Sequence, residues 1–224
     1  MSEKEGTCFV VKGETMDNYE IAKERIRPEF LKYSQDEMIR RFGLDHSDQY
    51  LYVEFCGETF RIERSTGIVE KDPEGNGFLS GIQPGSYEEV LSIYDMLCYS
   101  RPDAALSGQW SLVNSLPGVG QNNGLGDNAV MTYEKEIDRD QEAFRRACRE
   151  LKGTEVPMGD IGFEIPVFPF FPVRLRFYGS DEEFPAKLSV LFDRNTLQYL
   201  HYETTYYVVN CLMRAVRSRM AGKK

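Results

Sequence analysis

Two regions of the chain alternate apolar and polar residues with a period of two, and the first lies between Tyr50 and Glu70. Its segments YLYVEF and TFRIER are typical of half-buried β-strands, because successive side chains of a strand point to opposite faces. Cys56-Gly57 predicts the tight turn between them, and Ile68-Val69 starts a third short strand. The following segment, KDPEGNG, is predicted from its composition to be a solvated loop.

The second region of alternation covers residues 161–193, with the sequence IGFEIPVFPFFPVRLRFYGSDEEFPAKLSVLFD. It predicts three strands, with an acidic and aromatic turn before the last one. Pro166, Pro169 and Pro172 cannot donate a hydrogen bond to a neighbouring strand. The segment IPVFPFFP is therefore expected to form an edge, a bulge or a crossing connection.

Helical periodicity separates and follows these strands. Four helix starts are predicted where an acidic or hydroxyl residue precedes Glu or Gln by three positions, namely Asp17 with Glu20, Ser34 with Glu37, Ser86 with Glu89, and Asp138 with Gln141. The stretch from Leu106 to Val130 has no regular pattern, and a last helix is predicted from about Glu203 to Arg217.

This order of elements predicts an α+β fold in a single domain over residues 17–219, with a largely antiparallel sheet of about five to six strands flanked by helices. Residues 1–16 are expected to be poorly ordered, and residues 220–224 to form a basic tail.

Composition excludes several classes of function. The 224 residues carry a net charge of −9, so nucleic acid is not an expected partner. No stretch approaches the roughly 20 apolar residues of a membrane span, and the first residues do not resemble a secretory signal. The five cysteines are odd in number and widely spaced, which favours a reducing, cytoplasmic setting.

Four segments resemble an uncharacterised domain family found mainly in anaerobic bacteria and archaea. They are YEIAKERIRPEF, YLYVEFCGETFRIERSTG, LSIYDMLCYSRPDAALSGQWSLVNSLPG and GDIGFEI…VRLRFYGSDEEFPAKLSVLFDRNTLQYLHYE, which together extend from about Asp17 to Met213. The resemblance implies a single domain of unknown function. It also implies that some members carry an appended iron–sulfur segment, but this chain has no C-x-x-C pair to bind such a cluster.

The resemblance identifies motif residues without giving any of them a catalytic role. They are Gly108, Trp110, Pro117, Gly118, Glu182, Glu183, Phe184, Pro185, Phe192 and Asp193.

The acidic turn is the first candidate site. Its carboxylates, Glu182 and Glu183, together with Asp193, fit an acid/base pair or ligands for a hard cation. The alternative is a solvated hairpin turn. His201 fits a proton shuttle or a metal ligand, and the alternative is a histidine at the start of a helix, bonded to the backbone. No residue is assigned as a metal ligand, and the cofactor is left unknown.

The second candidate site is a ligand-binding surface formed by Trp110, Gly118, Asn122, Asn123 and Phe184. The glycines of the loop do not have the spacing of a dinucleotide fingerprint, so a binding loop and a plain solvated loop remain the alternatives. Among the cysteines, Cys56 is expected to be the most exposed, because it lies in a predicted turn.

Three functions therefore remain open. The first is an accessory domain that binds a small molecule, a cofactor or a metal centre, with a small-molecule ligand or a metal-centre protein as its partner. The second is a hydrolase- or lyase-type enzyme that uses the acidic turn and His201. The third is an interaction module with an exposed apolar patch around Phe168, Phe170 and Phe171. The oligomeric state is not predicted.

Overall fold

The strands of the computed structural model, which describes residues 26–119 and 128–222, form two antiparallel sheets. The first has the order β1-β2-β3-β4, with strands Tyr50–Phe55, Glu58–Glu63, Val69–Asp72 and Gln83–Pro84. The second has the order β5-β9-β8-β7-β6, and its strands in chain order are Trp110–Leu112, Thr154–Glu155, Ile161–Phe168, Phe171–Tyr178 and Lys187–Asp193. The predicted α+β class is confirmed, with the strands divided between two sheets.

Five helices with defined bounds pack around the sheets in the described part of the chain, and residues 26–30 are also helical. They are α1 (Gln35–Phe42), α2 (Tyr87–Tyr99), α3 (Asn128–Arg139), α4 (Gln141–Glu150) and α5 (Tyr202–Met220). Short 3-10 turns cover Val113–Ser115 and Thr196–Gln198. Within the described residues, no helix has both the length and the apolar character that a membrane crossing requires.

The caps predicted from local sequence are confirmed at α1 and α2. The Ser34 hydroxyl accepts a hydrogen bond from the Glu37 amide, and Gly43 ends α1 in the left-handed conformation. At α2, Ser86 and Glu89 form a reciprocal capping box. In each case a side chain satisfies an amide that the helix itself leaves without a partner.

The two sheets share one apolar core. The turn after β1 reaches the second sheet, where the Cys56 amide donates to the Val167 carbonyl at 2.8 Å. Beside this bond, the rings of Phe55 and Phe168 lie 4.7 Å apart. Helix α5 packs against α2 and α4, and it closes the core behind the second sheet. The described residues are therefore organised around a single interior.

The proline-rich segment forms the hairpin between β7 and β8. Its register pairs Pro166 with Pro172 and shifts before Phe168. Pro166 and Pro172, which both lack an amide hydrogen, therefore lie at the irregular end of the hairpin, where a bulge tolerates them.

Two predictions about local structure are wrong. Helix α3 lies partly in the stretch predicted to be irregular, and it extends through Asp138. The cap of the following helix is Asp140, whose carboxylate accepts the Ala143 amide at 2.9 Å. Asp138 instead binds the hydroxyl of Ser180 at 2.6 Å. The pattern D-x-x-Q at Asp138 thus coincides with a helix end without supplying its cap.

Two predictions about exposure are also wrong. Cys56 is only 4% exposed, because its turn is inserted between the second sheet and the end of α5. Phe168 and Phe171 are fully buried, and Phe170 stacks on Phe42 at 4.6 Å. The apolar patch expected on this segment is therefore part of the core.

The remaining predictions about the chain ends fall mostly outside the described residues. Residues 1–16 and the helix start at Asp17 lie in that part of the chain. At the other end, α5 continues to Met220, which is the first residue of the predicted basic tail.

Candidate functional site

A cavity of about 300 Å³ lies along one edge of β9. Strand β5 pairs only with Leu191–Asp193, so residues 187–190 extend beyond it. Helix α3 approaches the same edge, where the Leu188 amide donates to Glu134 Oε1 at 3.0 Å. The cavity occupies the remaining space and is lined by Leu112, Val113, Asn114, Val130, Arg176, Tyr178, Lys187, Leu188, Ser189, Val190, Phe192, Thr205, Tyr206 and Val209.

Arg176 is the cavity residue with the least satisfied charge. Its Nε is buried and has no hydrogen-bond partner among the described residues. One terminal nitrogen lies 3.5 Å from Ser189 Oγ, a long contact, and the guanidinium carbon lies 5.6 Å from the centre of the Tyr178 ring. No acidic side chain in the described ranges forms an ion pair with it.

Arg174, two residues earlier on the same strand, is fully engaged. Its Nε donates to Glu164 at 2.8 Å, and its guanidinium lies 4.3 Å above the centre of the Trp110 ring. The register explains the difference, because Glu164 of β7 is opposite Arg174 whereas Gly162 is opposite Arg176. A glycine supplies no side chain, so the second arginine is left without a carboxylate from β7.

The other walls of the cavity combine one more cation with hydroxyl and apolar groups. Lys187 Nζ is half exposed and lies 3.9 Å from Glu134 Oε1, at the outer limit of an ion pair. The lining residues Asn114 and Tyr206 are linked through Tyr202, whose hydroxyl donates to Asn114 Oδ1 at 2.8 Å and lies 2.6 Å from that of Tyr206. Valine and leucine side chains complete the lining. The cavity thus combines two cationic side chains with hydroxyl and apolar groups.

The acidic turn lies next to this cavity and is turned towards solvent. Asp181 accepts the amides of Glu183 and Phe184 at 2.8 and 2.7 Å, and these bonds hold the pKa of its carboxyl below the usual value. Glu182 and Glu183 are exposed, and Phe184 is 66% exposed. Phe184 lines a shallow depression that shares Tyr178 and Lys187 with the cavity.

Asp193 is fully buried at the far end of β9. Its Oδ1 accepts the Ser107 amide and hydroxyl, both at 3.0 Å, and the Asn195 amide at 2.8 Å. Its Oδ2 accepts the Gly108 amide at 2.7 Å. Three of these four donors belong to Ser107 and Gly108, so the carboxylate holds the segment that leads into β5.

His201 is bonded to a residue that sequence reasoning did not select. Asp95 of α2 is buried, and its carboxylate accepts the His201 backbone amide at 2.7 Å and contacts Nδ1 at 2.5 Å. The imidazole is 59% exposed and lies edge-on to the Tyr99 ring. Asp95 thereby caps the first turn of α5, which the His201 side chain does not do.

The predicted catalytic residues are not brought together. Strand β9 begins just after the acidic turn and spans six residue steps from Lys187 to Asp193, or about 20 Å, so the turn and Asp193 lie at opposite ends of it. His201 lies near the start of β8, because Tyr199 packs on Phe171 there.

Of the predicted ligand-binding residues that the structure describes, Trp110, Gly118 and Phe184 do not line the cavity. Trp110 is two residues before the lining residues Leu112–Asn114, and Gly118 is four residues after them. Asn122 and Asn123 lie outside the described residues. Sequence reasoning missed Arg176 and Lys187, whose roles depend on strand register. It assigned no metal ligand, and among the described residues no group of three or more His, Cys, Asp and Glu side chains could hold a metal.

Comparison with known proteins gives one result. Residues 35–215 match the model of a family described as "Domain of unknown function (DUF3786)". The resemblance to an uncharacterised domain family is confirmed at that level. No curated protein and no solved structure matches the chain.

Proposed function

Because the chain belongs to the DUF3786 family, whose function is unknown, we propose its function from the geometry of the cavity beside β9. The cavity binds a small, partly apolar molecule that carries a carboxylate or phosphate group. The observation that supports this proposal is the buried Nε of Arg176, which has no partner among the described residues. We further propose a cytoplasmic location, since the cysteines in the described ranges are free thiols.

The charge of Arg176 favours an anion. Leaving a buried donor unsatisfied costs about 1–3 kcal/mol, and a hydrogen bond to a charged partner contributes about 1.5–3 kcal/mol. A ligand oxyanion at Nε would remove the first cost and add the second contribution. Arginine also presents its donors in a planar fork that matches the oxygens of a carboxylate or phosphate. Lys187 adds a second positive charge at the mouth of the cavity.

The size and lining of the cavity restrict the rest of the ligand. A volume of about 300 Å³ is at the small end of ligand pockets. Val130, Val190 and Val209 contribute apolar surface to the lining. We therefore expect a compact ligand with one anionic end and an apolar body of aromatic or branched aliphatic character.

Calorimetric titration with benzoate, phenyl phosphate and the uncharged analogue benzamide tests the proposal. We expect saturable binding of one of the anions and weaker binding of benzamide. Arg176→Met should weaken anion binding about 10- to 100-fold, in line with the loss of one charge-assisted bond. The same variant should be no less stable than the wild type without ligand, because it removes an unsatisfied group.

Arg174→Met is the matched control. It removes the ion pair to Glu164 and the contact with Trp110, so we expect a loss of about 1–2 kcal/mol in the free energy of unfolding. Anion binding should be unchanged in this variant. The proposal is overturned if neither anion saturates the wild-type protein below about 10 mM, or if Arg176→Met binds as the wild type does.

A further inference from the structure

The loop between β3 and β4 has the residue spacing of a calcium-binding loop. Calcium loops place oxygen ligands at positions 1, 3 and 5 and glycine at position 6, where the backbone turns sharply. Here Asp72, Glu74 and Asn76 occupy the three ligand positions, and Gly77 follows them with φ of 76°. The loop departs from the usual motif at position 3, which is Glu, and at position 12, which is Gln83.

The carboxylate of Asp72 lies inside the loop. The residue is 5% exposed, and its Oδ2 accepts the amides of Gly77 and Phe78 at 2.7 and 3.0 Å. Its Oδ1 is buried and has no hydrogen-bond partner among the described residues. A buried carboxylate oxygen without a hydrogen-bond partner is costly, so a cation beside Asp72 Oδ1 would stabilise the loop.

Further oxygens of the same loop gather around the Asn76 side chain. The Asn76 side-chain amide donates to Glu74 Oε2 at 2.8 Å, to Ser80 Oγ at 2.9 Å and to the Ser80 carbonyl at 3.3 Å. Gly81 permits this arrangement, because a Cβ there would lie only 2.4 Å from Glu74 Oε1. The Asn76 side-chain NH₂ group thus holds Glu74 and Ser80 together.

No basic side chain in the described ranges compensates the two carboxylates. Lys71, next to Asp72 in sequence, binds Glu89 at 3.1 Å and Glu58 at 3.6 Å. Arg61 contacts the Phe78 ring, but its ion pair is with Glu70 at 2.7 Å. A net charge of about −2 therefore remains in the loop, which matches one divalent cation.

We propose that this loop binds a calcium ion through Asp72 Oδ1, the Glu74 carboxylate and the Ser80 hydroxyl. Asn76 contributes its side-chain carbonyl when the amide turns, which releases the Leu79 amide that Oδ1 now accepts at 2.9 Å. Phe78 occupies position 7, where calcium loops supply a main-chain oxygen. This set of ligands contains only two carboxylates. It therefore differs from a group of three or more His, Cys, Asp and Glu side chains, and the described residues contain no such group that could hold a metal.

Calcium is preferred over magnesium by the form of the loop. Calcium accepts six to eight oxygens in an irregular arrangement, whereas magnesium requires near-octahedral geometry and retains several waters. Gln83 occupies the place of the usual bidentate glutamate, so one strong ligand is missing. We therefore expect a Kd at the weak end of the known range, about 10⁻⁴–10⁻³ M.

Calorimetric titration of the chelator-treated full chain with calcium chloride, at constant ionic strength, tests the proposal. We expect one saturable site with this Kd, and weaker binding of magnesium chloride. Glu74→Gln should weaken calcium binding at least 10-fold, and Asp72→Asn should abolish it. Glu182→Gln, which removes a carboxylate from the exposed acidic turn, is the matched control and should bind calcium as the wild type does.

Glu74 is exposed, so its variant is expected to fold and decides the test even if Asp72→Asn does not. The proposal is overturned if the wild-type protein shows no saturation below about 10 mM calcium. It is also overturned if Glu74→Gln binds calcium with wild-type affinity, or if Glu182→Gln weakens binding as much as Glu74→Gln does.

Discussion

Replacing Asp193 with asparagine tests whether this carboxylate holds the fold together or is free for chemistry. The side chain is fully buried and accepts four hydrogen bonds from Ser107, Gly108 and Asn195. Asparagine has the same shape but only one accepting oxygen. In the better of its two orientations, the new amide faces the Gly108 N–H, so two donors oppose each other.

The magnitude follows from these bonds. One charge-assisted hydrogen bond contributes about 1.5–3 kcal/mol, and the three that remain become weaker when the acceptor loses its charge. We expect Asp193→Asn to lower the free energy of unfolding by about 3 kcal/mol. For a chain of 224 residues this corresponds to a decrease of about 6–12 °C in Tm.

Urea unfolding followed by far-ultraviolet circular dichroism measures the effect, because this signal reports on both sheets and the helices. Asp103→Asn is the control, since Asp103 is 73% exposed and pairs only with Arg101. It should change stability by less than about 0.5 kcal/mol. If Asp193→Asn also stays within this limit, the reasoning that makes Asp193 a structural carboxylate is refuted.

Two further predictions concern titratable groups. Hydrogen bonds from the Ser180 hydroxyl and amide hold the pKa of Asp138 below its usual value, so its stabilising contribution is present at neutral pH and lost as the pH falls through the folded-state pKa. The stability difference between wild type and Asp138→Asn should therefore shrink from pH 7 to pH 3 in urea titrations. Burial raises the pKa of Cys98 to about 12 and raises those of Cys56, Cys148 and Cys211 as well. In a Cys8→Ser variant, a thiol-specific chromogenic disulfide at pH 8 should thus react only after unfolding, when the four thiols titrate; rapid reaction of the native protein would contradict this.

Elements defined by contacts close in sequence were predictable. The caps at Ser34 and Ser86 act within three residues, and the turn at Cys56-Gly57 needs only two residues with positive φ. Asp138 shows the limit of this reasoning. Its partner, Ser180, is 42 positions away, and no local pattern indicates that contact.

The candidate site depended on register, which the alternating pattern does not give. Arg174 and Arg176 look equivalent in the sequence VRLRFY. Only the pairing with β7 places Glu164 opposite the first and Gly162 opposite the second. The acidic turn attracted attention because its charges are adjacent in sequence. Charges that are adjacent in a turn are hydrated, whereas the less conspicuous Arg176 is the residue with a buried donor.

The bond between Cys56 and Val167 has a consequence for how the chain acquires its structure. The turn of the first hairpin finds its partner more than a hundred residues later, so the first sheet cannot complete its packing until β7 and β8 exist. Contacts of such long sequence separation slow folding, because the intervening chain must close first. During synthesis the hairpin of β1 and β2 therefore emerges with Phe55 uncovered, and it depends on the second half of the chain to bury that ring.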